Sequence, residues 1–406
     1  MSLAMNHITK FRTLIVSISI ILLCSACHHH DKVKYSTSSE HTLLVYMIGD
    51  DRILNSYVEP NLAQMRRALQ ESETPLNLVI YRDNWTSKNN LPQLYQLKRR
   101  ANSNRTDTIF IKKWDKDVDS TDPAMMKEVV KLTFSKFDTP IKGIEIWSHG
   151  LSWIPSNEFQ GDTGTRAISY IGNDDNHKSD LWNVSKALQQ SGVHFDYMLF
   201  DACHMATAEV AYEFRNVTDY ILASPIEIAA EGFPYRAMYQ SLSTIQSKEQ
   251  LETGLTAAFL DYKNVYKDNG AFSLLRTDGF ETLLAACRDL EAQCSSTLEE
   301  WQANPSSHQS AIQQYGRVKE FLYLFYDVED WSRQLCQESN NGSQAAVLQA
   351  LQNCVVETYH SPSFVASGGT LYISRSCGLA MSIPQFWSLS SQKKLDEAYS
   401  LIQWNL

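Results

Sequence analysis

Residues Ser179 to Arg215, SDLWNVSKALQQSGVHFDYMLFDACHMATAEVAYEFR, read as a helix, a buried strand and a second helix in one passage. The strand, FDYMLFDAC, is a short and nearly unbroken apolar run, the pattern of a parallel strand covered on both faces. Three other segments repeat it. Thr42 to Asp51 (TLLVYMIGDD) is apolar almost throughout, and Leu62, Met65 and Leu69 behind it fall on one helical face. Leu76 to Asp83 (LNLVIYRD) is a second such strand. Lys142 to Gly150 (KGIEIWSHG) is a third, preceded by a helix that opens at STDPAMMKEVVKL with Pro123 suited to its first turn. Strands alternating with helices predict an α/β fold, a mostly parallel sheet sandwiched by helices. LPQLYQLKRR and DTIFIKKW add edge strands or a side hairpin. From Ser243 the pattern turns helical, with FETLLAACRDLEAQCSSTLEEWQ and AAVLQALQNCVVETYH as the clearest helices, and GTLYISRSCGLAMSIP predicts late strands returning to the sheet.

The 406 residues are 43% hydrophobic and 20% charged, ordinary for a globular chain with a large core. A formal net charge of −10 leaves no general basic face, which argues against nucleic acid as a partner and favours cationic ones. Lys10 and Arg12 followed by the apolar run Leu14 to Leu23 form an export signal, too short to span a bilayer. LLCSAC at its end is similar to the bacterial lipobox, with Cys27 as the acylated residue and Cys24 where leucine is commonest. Residues 28–41 lack periodicity and read as a flexible tether, their three histidines as spacer. No CxxC pair remains beyond the signal, so a zinc ribbon is not expected.

In open parallel sheets, reacting groups gather beyond the carboxyl ends of the strands. IEIWSHG and FDAC both end there in residues capable of chemistry. If the two strands are parallel neighbours, His149 and Cys203 emerge at one edge, as a cysteine/histidine pair for acyl transfer requires. A helix opening at Met205 would favour the thiolate at Cys203. The N–H groups of Gly150 and Cys203 would face an oxyanion, and His149 would protonate the leaving amine. His177, His194 and His204 have structural readings. The same is true of each candidate taken singly: a strand-end cysteine is usually a small core residue, and an acid such as Asp201 can serve as a helix cap.

The pieces VYMIGDD, WSHG with His149, FDAC with Cys203, EVAYEF, YILASPIEIAAEGFPY (Tyr220 to Tyr235) and, more weakly, GLAMSIP resemble the clostripain family of cysteine peptidases, relatives of caspases, gingipains and legumain. The resemblance implies a caspase-like fold, expected over residues 42–241; the residue pattern makes 242–406 a largely helical C-terminal region with late strands returning to the sheet. The resemblance also implies a His149/Cys203 dyad and cleavage after arginine or lysine, with Asp201, two residues before the nucleophile, in the pocket for the basic side chain. Glu227 and Glu231 are further candidates for that pocket or its rim. Family members often cut themselves between the histidine and the cysteine. Here GDTGTRAISYIGNDDNHK offers Arg166, or else Lys178, in a stretch that reads as loop.

Some relatives use calcium. Asp115 to Asp122 (DKDVDSTD) opens like an EF-hand, but Ser120 replaces the glycine and Met126 the bidentate glutamate, so it reads as a turn and helix cap. Asp174 and Asp175 lack a distinctive spacing. No cofactor is required by this reading, and calcium stays open without a located site. The expectation is an exported monomer, lipid-anchored to the bacterial cell membrane or to the outer membrane and cell surface, acting on peptides or proteins with basic residues. Two alternatives remain open at this point: a catalytically silent surface-binding protein of the same fold, and a Cys/His amidase or transpeptidase acting on cell-wall peptides.

Overall fold

The computed structural model describes residues 39–84, 91–100, 103, 105–155, 171–316, 324–366, 369–387, 392–404 and 406. The segment read as an export signal, most of the stretch read as a tether, and Arg166 lie outside the described residues.

In chain order the elements are β1 (His41–Gly49), α1 (Asn55–Glu71), β2 (Asn77–Asn84), β3 (Gln93–Arg99), β4 (Thr106–Lys113), α2 (Pro123–Phe134) and β5 (Ile141–Trp147). A small hairpin, β6 (Ile171–Asp174) and β7 (His177–Ser179), precedes α3 (Leu181–Ser191), β8 (Phe195–Asp201), α4 (Ala208–Phe214) and β9 (Thr218–Ala223). There follow α5 (Tyr235–Leu242), α6 (Leu251–Tyr266), β10 (Ala271–Arg276), α7 (Phe280–Gln293) and α8 (Ser295–Ala303). One sheet of nine strands runs β12-β10-β9-β8-β5-β1-β2-β3-β4, where β12 is Val355–His360. The five central strands, β9, β8, β5, β1 and β2, are mutually parallel. The outer strands on both sides are antiparallel.

Every residue of β1 is buried, as a strand with helices on both faces must be. Leu43, Val45 and Met47 join Leu62, Met65 and Leu69 of α1, Met238 of α5 and Phe259 of α6 in one core cluster. Burying an aliphatic side chain of this kind contributes about 1.5–3 kcal/mol relative to exposure. On the opposite face α2 and α3 pack together. Local chemistry sets the helix ends: Asp122 caps α2 by accepting from Ala124 N (2.8 Å) with Pro123 at its first turn, and Gly192 closes α3 in the left-handed conformation (φ 76°).

The C-terminal region departs from the sequence reading. FETLLAACRDLEAQCSSTLEEWQ is broken at Cys294 into α7 and α8. AAVLQALQNCVVETYH is helix only to Cys354: the β-branched and aromatic VVETYH becomes β12, paired to β10, so residues after 241 add two strands to the main sheet. The late segment makes only small pairs instead. β13 (Ser363–Ala366) pairs with β14 (Gly369–Tyr372), and β15 (Ala380–Met381) with β11 (Tyr326–Asp327). Ala380 N donates to Ala206 O (3.0 Å) and Ser382 N to Glu209 Oε1 (2.7 Å), so this segment braces the turn after Cys203.

At one point β5 and β8 depend on a missing side chain. A Cβ on Gly143 would lie 2.2 Å from the Tyr197 ring, which is fully buried and hydrogen-bonded through its hydroxyl to His41 Nε2 (2.7 Å). Gly143→Ala is expected to cost about 1–3 kcal/mol, as overpacking in a rigid core does. Denaturant unfolding measures it, and an unchanged midpoint would contradict the packing described.

Candidate active site

The register of β5 on β8 sets Trp147 opposite Asp201, and Ser148 N donates to Asp201 O (3.2 Å), extending the pairing by one residue. The two chains leave the sheet level with one another, and the next residues are His149 on one and Ala202–Cys203 on the other. Both His149 and Cys203 line a cavity of about 390 Å³ at this edge, within the usual range for ligand pockets. Gly150 is required here for packing: a Cβ would sit 2.8 Å from Cys203 O and 2.9 Å from Ala202 Cβ, so the two backbones touch.

β1 is the neighbour of β5 on its other side, and it brings a residue that sequence reasoning did not single out. Asp51 Oδ1 lies 3.4 Å from His149 Nε2 and accepts from Ile53 N (2.8 Å) and Leu54 N (3.1 Å). Burial works against its charge, but the hydrogen bond and charge of His149 and the two amides outweigh it, holding the carboxyl well below the usual range. The signal was available: GDD directly follows a central strand at its carboxyl end.

The half-buried Cys203 sulfur accepts from Ile228 N (3.4 Å). The helix expected at Met205 opens later, at Ala208, capped by Thr207, and has seven residues. A helix terminus acts only within its first turn, so the macrodipole expected to favour the thiolate at Cys203 is not placed to do so. The intervening turn has His204 at φ 57°, its ring buried, bonded to Pro225 O (3.1 Å) and stacked on Phe325, a structural histidine as expected. None of the six described cysteines forms a disulfide with another. Burial pushes Cys287 and Cys377 far up and Cys354 up to about 12, which leaves them inert at neutral pH.

Asp201, Glu227 and Glu231 also line the cavity, and no Lys or Arg does among the described residues. Asp201 is buried; burial raises its carboxyl to about 7, against the opposing hydrogen bonds from Tyr235 Oη and Phe233 N. Glu145 accepts from Tyr239 Oη (2.7 Å) and is pushed well up by burial and then by Asp201. Glu227 is half-buried and Glu231 exposed at the rim. The loop carrying them is fastened by Asn61, which donates to Glu231 O (2.9 Å) and accepts from Trp147 Nε1 (2.9 Å).

Lys178 does not lie in an open loop. It belongs to β7, paired to β6, and is partly buried, so a protease would have to strip the hairpin to reach the bond after it. The turn 115–122 forms caps as expected: Asp119 accepts from Thr121 N (2.8 Å) and Asp122 caps α2. Asp50, Asp83 and Asp174 are buried near one another, and Asp50 Oδ1 has no hydrogen-bond partner. Yet Ser120 already donates to both Asp83 and Asp174. Among the described residues no three His, Cys, Asp or Glu side chains are placed to hold a metal ion.

The profile of the clostripain family matches residues 45–403. The chain is similar in structure to an inactive zymogen C11 protease from Parabacteroides distasonis, with 26% identity, a TM-score of 0.73, and coverage of 91% of this chain and 98% of that one. It shares its fold with a secreted C11 cysteine protease from Bacteroides thetaiotaomicron in complex with an irreversible peptide inhibitor (24%, 0.70, covering 90% and 100%). It also shares it with the B. thetaiotaomicron C11 protease called iotapain (20%, 0.72, covering 89% and 99%). No curated protein matches the chain. The fold and the paired strand ends define a cysteine peptidase of caspase-like architecture. The chain belongs to the clostripain family.

Proposed function

We propose that the protein is an exported, lipid-anchored endopeptidase that cleaves after arginine or lysine, with Cys203 as nucleophile and His149 as its proton-transfer partner. The observation that carries the reading is the level register of β5 and β8, which opens both residues into one acid-lined cavity.

Cys203 Sγ, as thiolate, attacks the carbonyl carbon of the scissile bond, and the carbonyl electrons move to oxygen. The N–H groups of Gly150 and Cys203, on backbones in contact, face that oxyanion. His149, held by Asp51, gives its proton to the leaving amine; water then attacks the thioester, loses a proton to His149 and frees Cys203. Asp201 takes the cationic side chain, with Glu227 and Glu231 adding negative charge around it. An amidase or transpeptidase would need none of this acidity, which favours basic substrates over the alternative chemistry.

Lipid on Cys27 would tether the enzyme beyond the membrane. Among the described residues no helix is long and apolar enough to cross a bilayer. Self-cleavage after Arg166 would activate the chain, with Lys178 the poorer site because it is paired in β7.

Removing one partner of a desolvated charge pair costs about 2–5 kcal/mol, so Asp201→Asn should lower kcat/KM on arginyl and lysyl peptides by roughly 30-fold or more. Preference for arginine over an uncharged isostere should also weaken as pH falls through about 7, where the raised Asp201 carboxyl takes up its proton. Equal cleavage of basic and neutral peptides would refute the pocket assignment.

Mass spectrometry of the purified chain tests activation. A cut after Arg166 in the wild type and none in Cys203→Ala is expected. An intact wild type, or processing that persists in the mutant, contradicts it.

A further inference from the structure

We propose that Asn173 is a positioning residue for the His149–Asp51 pair, delivered by the β6–β7 hairpin. The inference rests on the reading of His149 as the proton-transfer partner of Cys203.

Asp51 offers two oxygens. Oδ1 faces His149 and the Ile53 and Leu54 amides, and Oδ2 accepts from Asn173 Nδ2 (2.8 Å). The Asn173 amide can sit only one way round, because turning it would set its carbonyl oxygen against the carboxylate. In the orientation present, Asn173 Oδ1 is buried with no hydrogen-bond partner, so the amide is held there for its donor alone. A carboxylate gripped at both oxygens cannot rotate about its Cβ–Cγ bond, and Oδ1 stays on the imidazole.

The hairpin that carries Asn173 is fixed by the same residues it serves. Gly172 N donates to His149 O (3.2 Å), and Asp175 N donates to Asp50 O (3.1 Å). Ile171 forms a bridge with Gly150. Successive hairpin residues therefore hold the backbone of His149, the side chain of Asp51 and the backbone before Asp51. Gly172 has φ 91°, and a Cβ there would meet Ile48 Cδ1 at 2.7 Å and Thr121 Cγ2 at 2.9 Å, so the strand lies tight on the end of β1. Asp175 and Asn176, at φ 42° and 73°, make the narrow turn that keeps the two short strands paired.

In the mechanism above, Asp51 orients the His149 ring for proton transfer. Freed from Asn173, the carboxylate turns and holds the ring less well, so proton transfer to the leaving amine slows.

Asn173→Leu removes the donor at similar size, and Asn173→Asp replaces it with an acceptor of the same shape. Assayed as the processed full chain on an arginyl peptide, each should lose kcat on the order of 10- to 100-fold with KM within about twofold. The inference is overturned if kcat holds within about twofold, if KM rises as much as kcat falls, or if kcat falls only in step with a lost thermal transition. His149→Ala separates the two levels. If that variant still cleaves, the dyad reading fails; if it is inert while both Asn173 variants are silent, only the role of Asn173 fails.

Discussion

Everything at the site follows from one alignment, the parallel pairing of β5 with β8 that ends at Trp147 opposite Asp201. Parallel strands present their carboxyl ends to the same edge, so two segments far apart in sequence deliver His149 and Cys203 side by side. The alignment is enforced by packing. The strands are buried on both faces, and a slip of one residue would turn every apolar side chain to the wrong side. Tyr197 filling the space over Gly143 adds a steric key to the same register.

Placed on that frame, carboxyl groups in similar side chains are driven to opposite behaviour by their neighbours. Asp51 is held ionised by an imidazole and two amides, which suits a group that orients and stabilises a proton carrier. Asp201, deeper and bonded by Tyr235 and Phe233, is raised to about 7 by burial. Glu145, fully buried and bonded to Tyr239, is pushed well up by burial and then by Asp201, and Asp201 is the acid of the two that lines the cavity. The division matters because, on the proposed reading, cation recognition and proton transfer depend on different groups and can be perturbed separately.

The sequence was most legible where the physics is local or periodic. FDYMLFDAC and KGIEIWSHG announce buried parallel strands, and their shared edge places His149 and Cys203 before any coordinates are known. The same reasoning stopped short of Asp51, which ends an equivalent strand but lacks a nucleophile or base to draw notice. Asn173 was invisible, since its partner lies more than a hundred residues away and its hairpin carries no strong strand pattern. VVETYH was read as the tail of a helix because it continues one without a breaker; only the open edge of β10 makes it a strand. The helix after Cys203 was misplaced by three residues because Thr207, and not the segment's first residue, supplies the cap.

The central claim is that Cys203 is the thiol opposed to His149 and aimed at a substrate with a basic side chain. Treatment with an arginyl chloromethyl ketone, followed by peptide mapping, tests it most directly, because the reagent needs both the pocket and a nucleophile at the reacting position. One adduct on Cys203, suppressed in Asp201→Asn, is the predicted result. An adduct on another cysteine, or labelling of Cys203 that is indifferent to Asp201, would contradict the account.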